Sequence, residues 1–344
     1  MKIETTAILG AGGWGTALAS VWAKAGRDVL LWGHEPARIE RLRQTRVNQD
    51  YLPGVSLPEN IRLTSELRDC ASAALVVFVV PSTAFREIAT KFGSVVENER
   101  SVLLSCTKGI EHKTGMRMSQ ILGEILPDHV SAVLSGPNLA TEVARGLPTA
   151  TVLGCRDQKL AEELQAFLGS ARFRVYRSDE VIGIELGGAL KNVFAIPAGI
   201  CDGLGLGDNS KAALVTRALA ELLRLGGAMG GFAGTFYGLS GAGDLMATCF
   251  SQQSRNRRVG ERLGRGESIE QITSSMKMVA EGVPTTKSAG GRPFKSAWIG
   301  EKAALRRASG VTSLARSRIR PIVGPCSTKV SGPARRRISV PTRS

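Results

Sequence analysis

Two rhythms of apolar and polar residues divide this chain. Through about residue 178, apolar runs of strand length recur between glycine-rich and polar breaks; from there to about residue 278, apolar positions recur at helical spacing. The first rhythm predicts strands at 5–9, 28–32, 73–80, 102–105, 132–134, 150–153 and 173–176, with helices at 16–25, 84–92 and 115–126. Near-continuous apolar strands alternating with helices belong to an open, mainly parallel α/β sheet covered on both faces. The second rhythm, with helices at 212–225 and 268–278 among others, predicts an all-helical domain. The expected boundaries are 1–178 for the sheet domain, 179–289 for the helical domain, and 290–344 for a segment that follows neither rhythm. No internal repeat is visible.

Lys191 and Asn192 interrupt a stretch, 181–196, otherwise suited to burial. Desolvation disfavours an ammonium and pulls its pKa toward the range where a lysine exchanges protons, which suits a catalytic acid/base. The competing reading is a lysine whose stem lies on the helix and whose head reaches water.

Gly10, Gly12 and Gly15 form a G-x-G-x-x-G run between the first strand and the first helix, inside a βαβ unit. The first glycine permits a tight turn, the second lets backbone approach a pyrophosphate, and the third lets helix and strand pack closely. The helix start then offers N–H groups to phosphates. This makes the sheet domain a Rossmann-type dinucleotide-binding unit. Past the second strand, His34 and Arg38 suit a 2′-phosphate while Glu35 suits ribose hydroxyls, so NAD or NADP is expected, with NADP at least tolerated.

Composition narrows the picture. Six cysteines without a C-x-x-C pair and three histidines suggest neither a metal site nor a disulfide scaffold, and fit a reduced compartment. The run at 73–80 is too short to span a bilayer as a helix, and no signal-peptide pattern opens the chain. A cytoplasmic protein without a membrane span is expected. The net charge of +15 is concentrated at one end: residues 290–344 hold 13 Lys and Arg against Glu301 alone, leaving +3 on the rest. Nucleic acid is therefore not an expected partner of the fold itself.

Ligands of open α/β sheets gather beyond the carboxyl ends of the strands. Three predicted strand ends carry small or polar groups: Pro81 and Ser82; Thr107, Lys108 and Gly109; Ser135, Gly136, Pro137 and Asn138. Lys108 is either a solvated loop lysine or a cation facing an anion or carbonyl. Farther on, residues 238–244 form a glycine-rich turn bearing Asp244, and Ser254, Arg255 and Asn256 suit a phosphate monoester. Ser240 resembles a nucleophile elbow, but Ala242 takes the final glycine position and no histidine lies downstream of His129. No P-loop pattern occurs.

These residues together resemble the bacterial NAD(P)-dependent glycerol-3-phosphate dehydrogenase family from about Ala7 to Lys287. The likeness rests on Gly10 to Thr16, Trp32 to His34, Asn48, Tyr51 to Gly54, Thr107 to Gly109, Ser135 to Pro137, and stretches 146–150, 185–199, 238–244, 254–256 and 281–285. It implies a dinucleotide domain followed by a helical substrate domain, paired as a homodimer, that reduces dihydroxyacetone phosphate to sn-glycerol 3-phosphate for phospholipid synthesis. By the resemblance Lys191 is the proton donor and acceptor, Lys108 lies near substrate and nicotinamide, and Asp244 is the carboxylate of the pocket. Arg255 and Asn256 would hold the substrate phosphate, with Ser254, Gly136 and Asn138 as further substrate contacts. Gly13, Trp14, His34, Ala140, Val279 and Glu281 match cofactor positions, joined by Lys108 and Arg255. Asn138 stands where the family often has Thr or Ser.

After Lys287 the family pattern stops. Gly290, Gly291, Arg292 and Pro293 lead into scattered Arg, Ser, Pro and Gly, the composition expected of disorder or of a shifted reading frame that truncates the helical domain. The alternative from another class is a protein that binds nucleic acid or anionic lipid through this basic segment, its dehydrogenase body inactive.

Overall fold

The computed structural model describes residues 3–276 and 278–289, so the basic segment and the readings attached to it lie outside the described residues. One sheet holds β1 (Thr5–Leu9), β2 (Asp28–Trp32), β3 (Ile61–Thr64), β4 (Leu75–Phe78), β5 (Val102–Ser105), β6 (Ser131–Ser135), β7 (Thr149–Gly154) and β8 (Phe173–Ser178). Their order is β3-β2-β1-β4-β5-β6-β7-β8, and every neighbouring pair is parallel except β6 and β7. The order reverses direction between β1 and β4, which opens a crevice above their carboxyl ends.

Strand residues alternate between two cores, as a period of two requires. Ile8, Leu31, Val77 and Leu104 enter one core; Ala7, Leu30, Val76 and Leu103 enter the other. Each fully buried aliphatic side chain contributes roughly 1.5–3 kcal/mol, so both faces are held firmly. The helices accompanying the sheet are α1 (Gly13–Lys24), α2 (Pro36–Thr45), α3 (Phe85–Gly93), α4 (Met118–Ile125), α5 (Ala140–Ala144) and α6 (Gln158–Leu168).

β3 escapes the apolar rhythm because it is an edge strand: Arg62 in its middle is exposed and pairs with Asp28 of β2 at 3.1 Å. α2 escapes it because only Ile39 and Leu42 are buried. The run at 73–80 yields a shorter strand, Leu75–Phe78, although the Val79 N–H still donates to Leu9 O of β1 at 2.9 Å.

Beyond Ser178 every element among the described residues is helical: α7 (Val181–Gly203), α8 (Gly207–Ala228), α9 (Ala233–Phe236), α10 (Asp244–Phe250), α11 (Arg255–Gly264), α12 (Ile269–Ser275) and α13 (Gly282–Ala289). α7 is the spine. It has the length and apolar composition of a membrane span, but 67% of its apolar window is buried inside the protein. Its Gly199 and Gly203 meet Gly260 and Gly264 of α11 in a reciprocal G-x-x-x-G contact. A Cβ on Gly199 would lie 1.9 Å from Arg257 O, and one on Gly260 would lie 1.8 Å from Ile196 O. Backbone therefore touches backbone. α7 is also tied to the sheet half: buried Glu185 pairs with Arg117 and accepts from the Ser119 N–H at 2.8 Å at the start of α4.

Candidate active site

The glycine loop is shaped by what a side chain would strike. Gly10 has φ +129° and its missing Cβ would lie 2.5 Å from Val79 O, while a Cβ on Gly15 would lie 1.9 Å from Gly10 O. Gly12 differs: a Cβ there meets nothing within 4 Å. The open side of the loop lies at Gly12, at the start of α1, where no side chain caps the helix. Free helix N–H groups beside an open, glycine-lined turn are what a pyrophosphate requires, so the residues present fit a dinucleotide. Buried Asn48 braces the loop from behind, donating to Ala11 O at 2.9 Å and Thr16 Oγ1 at 2.8 Å. Ala140 begins α5 against Gly13, where a Cβ would come within 3.9 Å of its own. Trp14 turns its ring into the core beside Phe173, leaving its backbone to the loop.

Across the crevice, three charged side chains meet. Lys191 donates from Nζ to Asp244 Oδ1 at 2.9 Å, and Lys108 donates to Asp244 Oδ2 at 2.7 Å. Lys108 also donates to Gly136 O at 2.7 Å, just past the tip of β6. Lys191 is 6% exposed and Asp244 2%. Two ammoniums share one carboxylate, which leaves the cluster one positive charge in excess. Burial, opposed by Asp244 and reinforced by Lys108, lowers the pKa of Lys191 to about 8.

The backbone explains why these groups can meet. A Cβ on Gly188 would lie 2.4 Å from Ser135 Oγ, and one on Gly187 2.6 Å from Ser240 O. These two glycines let α7 press against the tip of β6 on one side and the turn before Asp244 on the other. That turn, Leu239–Gly243, is π-helical and delivers Asp244 to the first position of α10, where the helix N-terminus favours a carboxylate.

Asn192 begins an amide chain. Its Oδ1 accepts from Asn256 Nδ2 at 2.8 Å, and Asn256 Oδ1 accepts from the Gly282 N–H at 2.8 Å, so α7, α11 and α13 are joined at one level. Asn256 is thereby buried, with both ends of its amide engaged. Ser254 caps α11, accepting from the Arg257 N–H at 3.2 Å, and Asn138 bonds to Ala150 O and Thr151 of β7. Arg255 instead exposes its guanidinium and donates to Val279 O at 2.8 Å. Glu281 accepts from the Ser82 N–H at 3.0 Å and Ser82 Oγ at 2.6 Å, and burial raises its pKa against the effect of those bonds. His34, at the far rim, is largely solvated beside Glu35.

Lys108, Gly136, Lys191 and Asp244 are thus in direct contact, and Asn138, Ser254 and Asn256 spend their side chains on neighbouring protein atoms. One member of the cluster went unread in the sequence: Thr248, 4% exposed, whose Oγ1 accepts from Lys191 Nζ at 2.6 Å. It lies four residues after Asp244 on the same face of α10, a spacing that could have disclosed it.

Two family models match the chain, described as the N-terminus of NAD-dependent glycerol-3-phosphate dehydrogenase over residues 5–161 and its C-terminus over 180–291. The glycerol-3-phosphate dehydrogenase (NAD(P)+) of Geobacter metallireducens is 46% identical over 290 residues, 83% of this chain and 86% of that protein. That of Pelotomaculum thermopropionicum is 47% identical over 289 residues, 82% of each. Among solved structures, the glycerol-3-phosphate dehydrogenase of Coxiella burnetii superposes with a TM-score of 0.81 at 38% identity, covering 88% of this chain and 90% of that one.

Proposed function

This chain belongs to the NAD-dependent glycerol-3-phosphate dehydrogenase family, and from that premise we propose that Lys191 carries the proton in the interconversion of dihydroxyacetone phosphate and sn-glycerol 3-phosphate. The protein is an NAD(P)-dependent oxidoreductase. When bound, the nicotinamide dinucleotide supplies or accepts the hydride, and the glycine loop with the start of α1 would hold its phosphates.

The observation that carries this reading is a single buried carboxylate shared by two lysines. As the ketone carbon is reduced, negative charge gathers on its oxygen. Lys191 neutralises that charge and gives up its proton, Asp244 and Thr248 orient the amine, and Lys108 adds positive potential without leaving its bond to Gly136 O. In the reverse direction neutral Lys191 takes the proton from the alcohol, which a pKa near 8 permits at little cost. Arg255 grips the substrate phosphate, so that binding far from the reacting carbon becomes orientation at it. Asn256 and Ser254 support that grip through α11 rather than through free side chains.

By the same reading the sheet half and the helical half are the cofactor and substrate domains, and the working enzyme is a cytoplasmic homodimer feeding phospholipid synthesis. The test is NADPH oxidation with dihydroxyacetone phosphate, repeated with Lys191→Ala. Loss of proton transfer and charge stabilisation together lowers kcat/KM by about 10⁴-fold or more. An unchanged rate removes Lys191 from the mechanism.

A further inference from the structure

A second carboxylate of the helical half is shared by two cations, and the proton chemistry does not use it. Asp202, near the end of α7, accepts from Lys211 Nζ of α8 at 2.9 Å and 2.8 Å through its two oxygens, and pairs with Arg257 of α11 through Oδ2. The side chains of Lys211 and Arg257 are 5% and 11% exposed. Phe250, at the end of α10, covers the ammonium of Lys211 with its ring centre 4.9 Å from Nζ, and Thr248 of the same helix accepts from Lys191. α10 thus touches both charged clusters. Burying ions to join helices adds little stability where an apolar contact would serve, so the gain lies in geometry.

Arg257 shows what that geometry holds. It stands in the first turn of α11, next to Asn256 and two residues past Arg255. Its N–H donates to Ser254 Oγ at 3.2 Å, its carbonyl oxygen would lie 1.9 Å from a Cβ on Gly199, and its side chain reaches Asp202. Glu261, one turn on, adds a contact at 3.3 Å. Gly199 and Asp202 are spaced to share one face of α7, so the ion pair and the main-chain contact grip the same turn of α11. Arg255 itself is exposed and donates to a loop carbonyl, Val279 O, so its aim depends on the backbone from which it projects.

We propose that Asp202 and Arg257 are positioning residues for the substrate phosphate: they fix the first turn of α11 on α7 so that Arg255 projects toward that phosphate, and they touch neither substrate nor cofactor. This rests on Arg255 as the phosphate ligand. A long side chain orients a substrate only when its own backbone is fixed, and misplacement by an ångström costs up to about 10²-fold in rate. Lys211 has a different part. It binds the same carboxylate from α8 and supports packing, while the aim of α11 is set by Asp202 and Arg257.

The test compares kcat/KM for dihydroxyacetone phosphate with that for dihydroxyacetone, which lacks the phosphate, in NADPH-driven reduction by the full chain. Arg257→Met lowers the first by roughly tenfold to a hundredfold and leaves the second within about twofold, because only the phosphorylated substrate uses the grip. Asp202→Glu keeps every charge but lengthens the arm by one methylene, and lowers the same ratio by roughly threefold to tenfold. It keeps the measurement possible if Arg257→Met does not fold. Arg257→Lys restores part of the loss. Lys211→Met lowers the melting temperature, as loss of a buried ionic partner should, yet leaves the ratio unchanged. An unchanged ratio in Arg257→Met or Asp202→Glu, or an equal fall in Lys211→Met, overturns the proposal and leaves the network a structural one. Arg255→Ala is the separate check: an unchanged ratio there overturns the phosphate grip itself, and this proposal with it.

Discussion

The two walls of the crevice are made of opposite materials. At the glycine loop the wall is backbone, and the essential feature is the absence of side-chain atoms at Gly10, Gly12 and Gly15. At the lysine cluster the wall is side chains, and the essential feature is charge held away from water on Lys191, Asp244 and Lys108. A backbone site fails when atoms are added; a side-chain site fails when atoms are removed. The two walls are consequently open to separate attack.

The largest expected effect comes from emptying the charged wall. Asp244→Asn leaves two lysines without their shared anion, and kcat/KM falls by roughly 10³-fold, with a stability loss of about 3–5 kcal/mol by urea denaturation. Dinucleotide affinity stays within about twofold. A parallel loss of cofactor binding would show the two walls to be one unit. The glycine wall gives the next effect. Gly12→Ala places a methyl group in open space and leaves the melting temperature unchanged, yet weakens dinucleotide binding by roughly tenfold to a hundredfold. Gly15→Ala, whose Cβ would lie 1.9 Å from Gly10 O, lowers stability by about 1–3 kcal/mol as well. Similar melting curves for the two variants would contradict that distinction.

The smallest effect is graded rather than absolute. On the proposed mechanism reduction needs Lys191 protonated, so its kcat/KM is expected to be level below pH about 8 and to fall about tenfold per unit above it. Oxidation needs Lys191 neutral, so its kcat/KM rises by the same slope below that pH and levels above it. Initial rates in both directions across pH 6 to 10 measure this, and parallel profiles would show that Lys191 is not the group that titrates.

The same contrast governs what the sequence disclosed. A glycine loop leaves its trace in residue type and spacing, so Gly10, Gly12 and Gly15 were legible with their flanking strand and helix. Lys191 was legible because an ammonium stands out in an apolar run. Thr248 and the engaged amide of Asn256 were not, since their partners lie 57 and 64 residues away and only the folded chain brings them together. β3 and α2 were missed for a related reason: β3 is four residues long with exposed Arg62 breaking its apolar run, and α2 buries only Ile39 and Leu42, so neither leaves a sustained apolar rhythm. The antiparallel turn of β7 is invisible for another, because strand composition does not record direction.

The flush contact of Gly199 and Gly203 with Gly260 and Gly264 has a consequence for selectivity. Helices seated main chain on main chain cannot slide or part without losing the whole seam, so the backbone that carries residue 191 and the backbone that carries residue 255 stand at a set span. On the roles proposed above for Arg255 and Lys191, the phosphate would be gripped at one end and the ketone oxygen met at the other, and the pair would gauge molecular length. A homologue one carbon longer would reach only one jaw, and its rejection would originate in four missing methyl groups remote from any reacting atom.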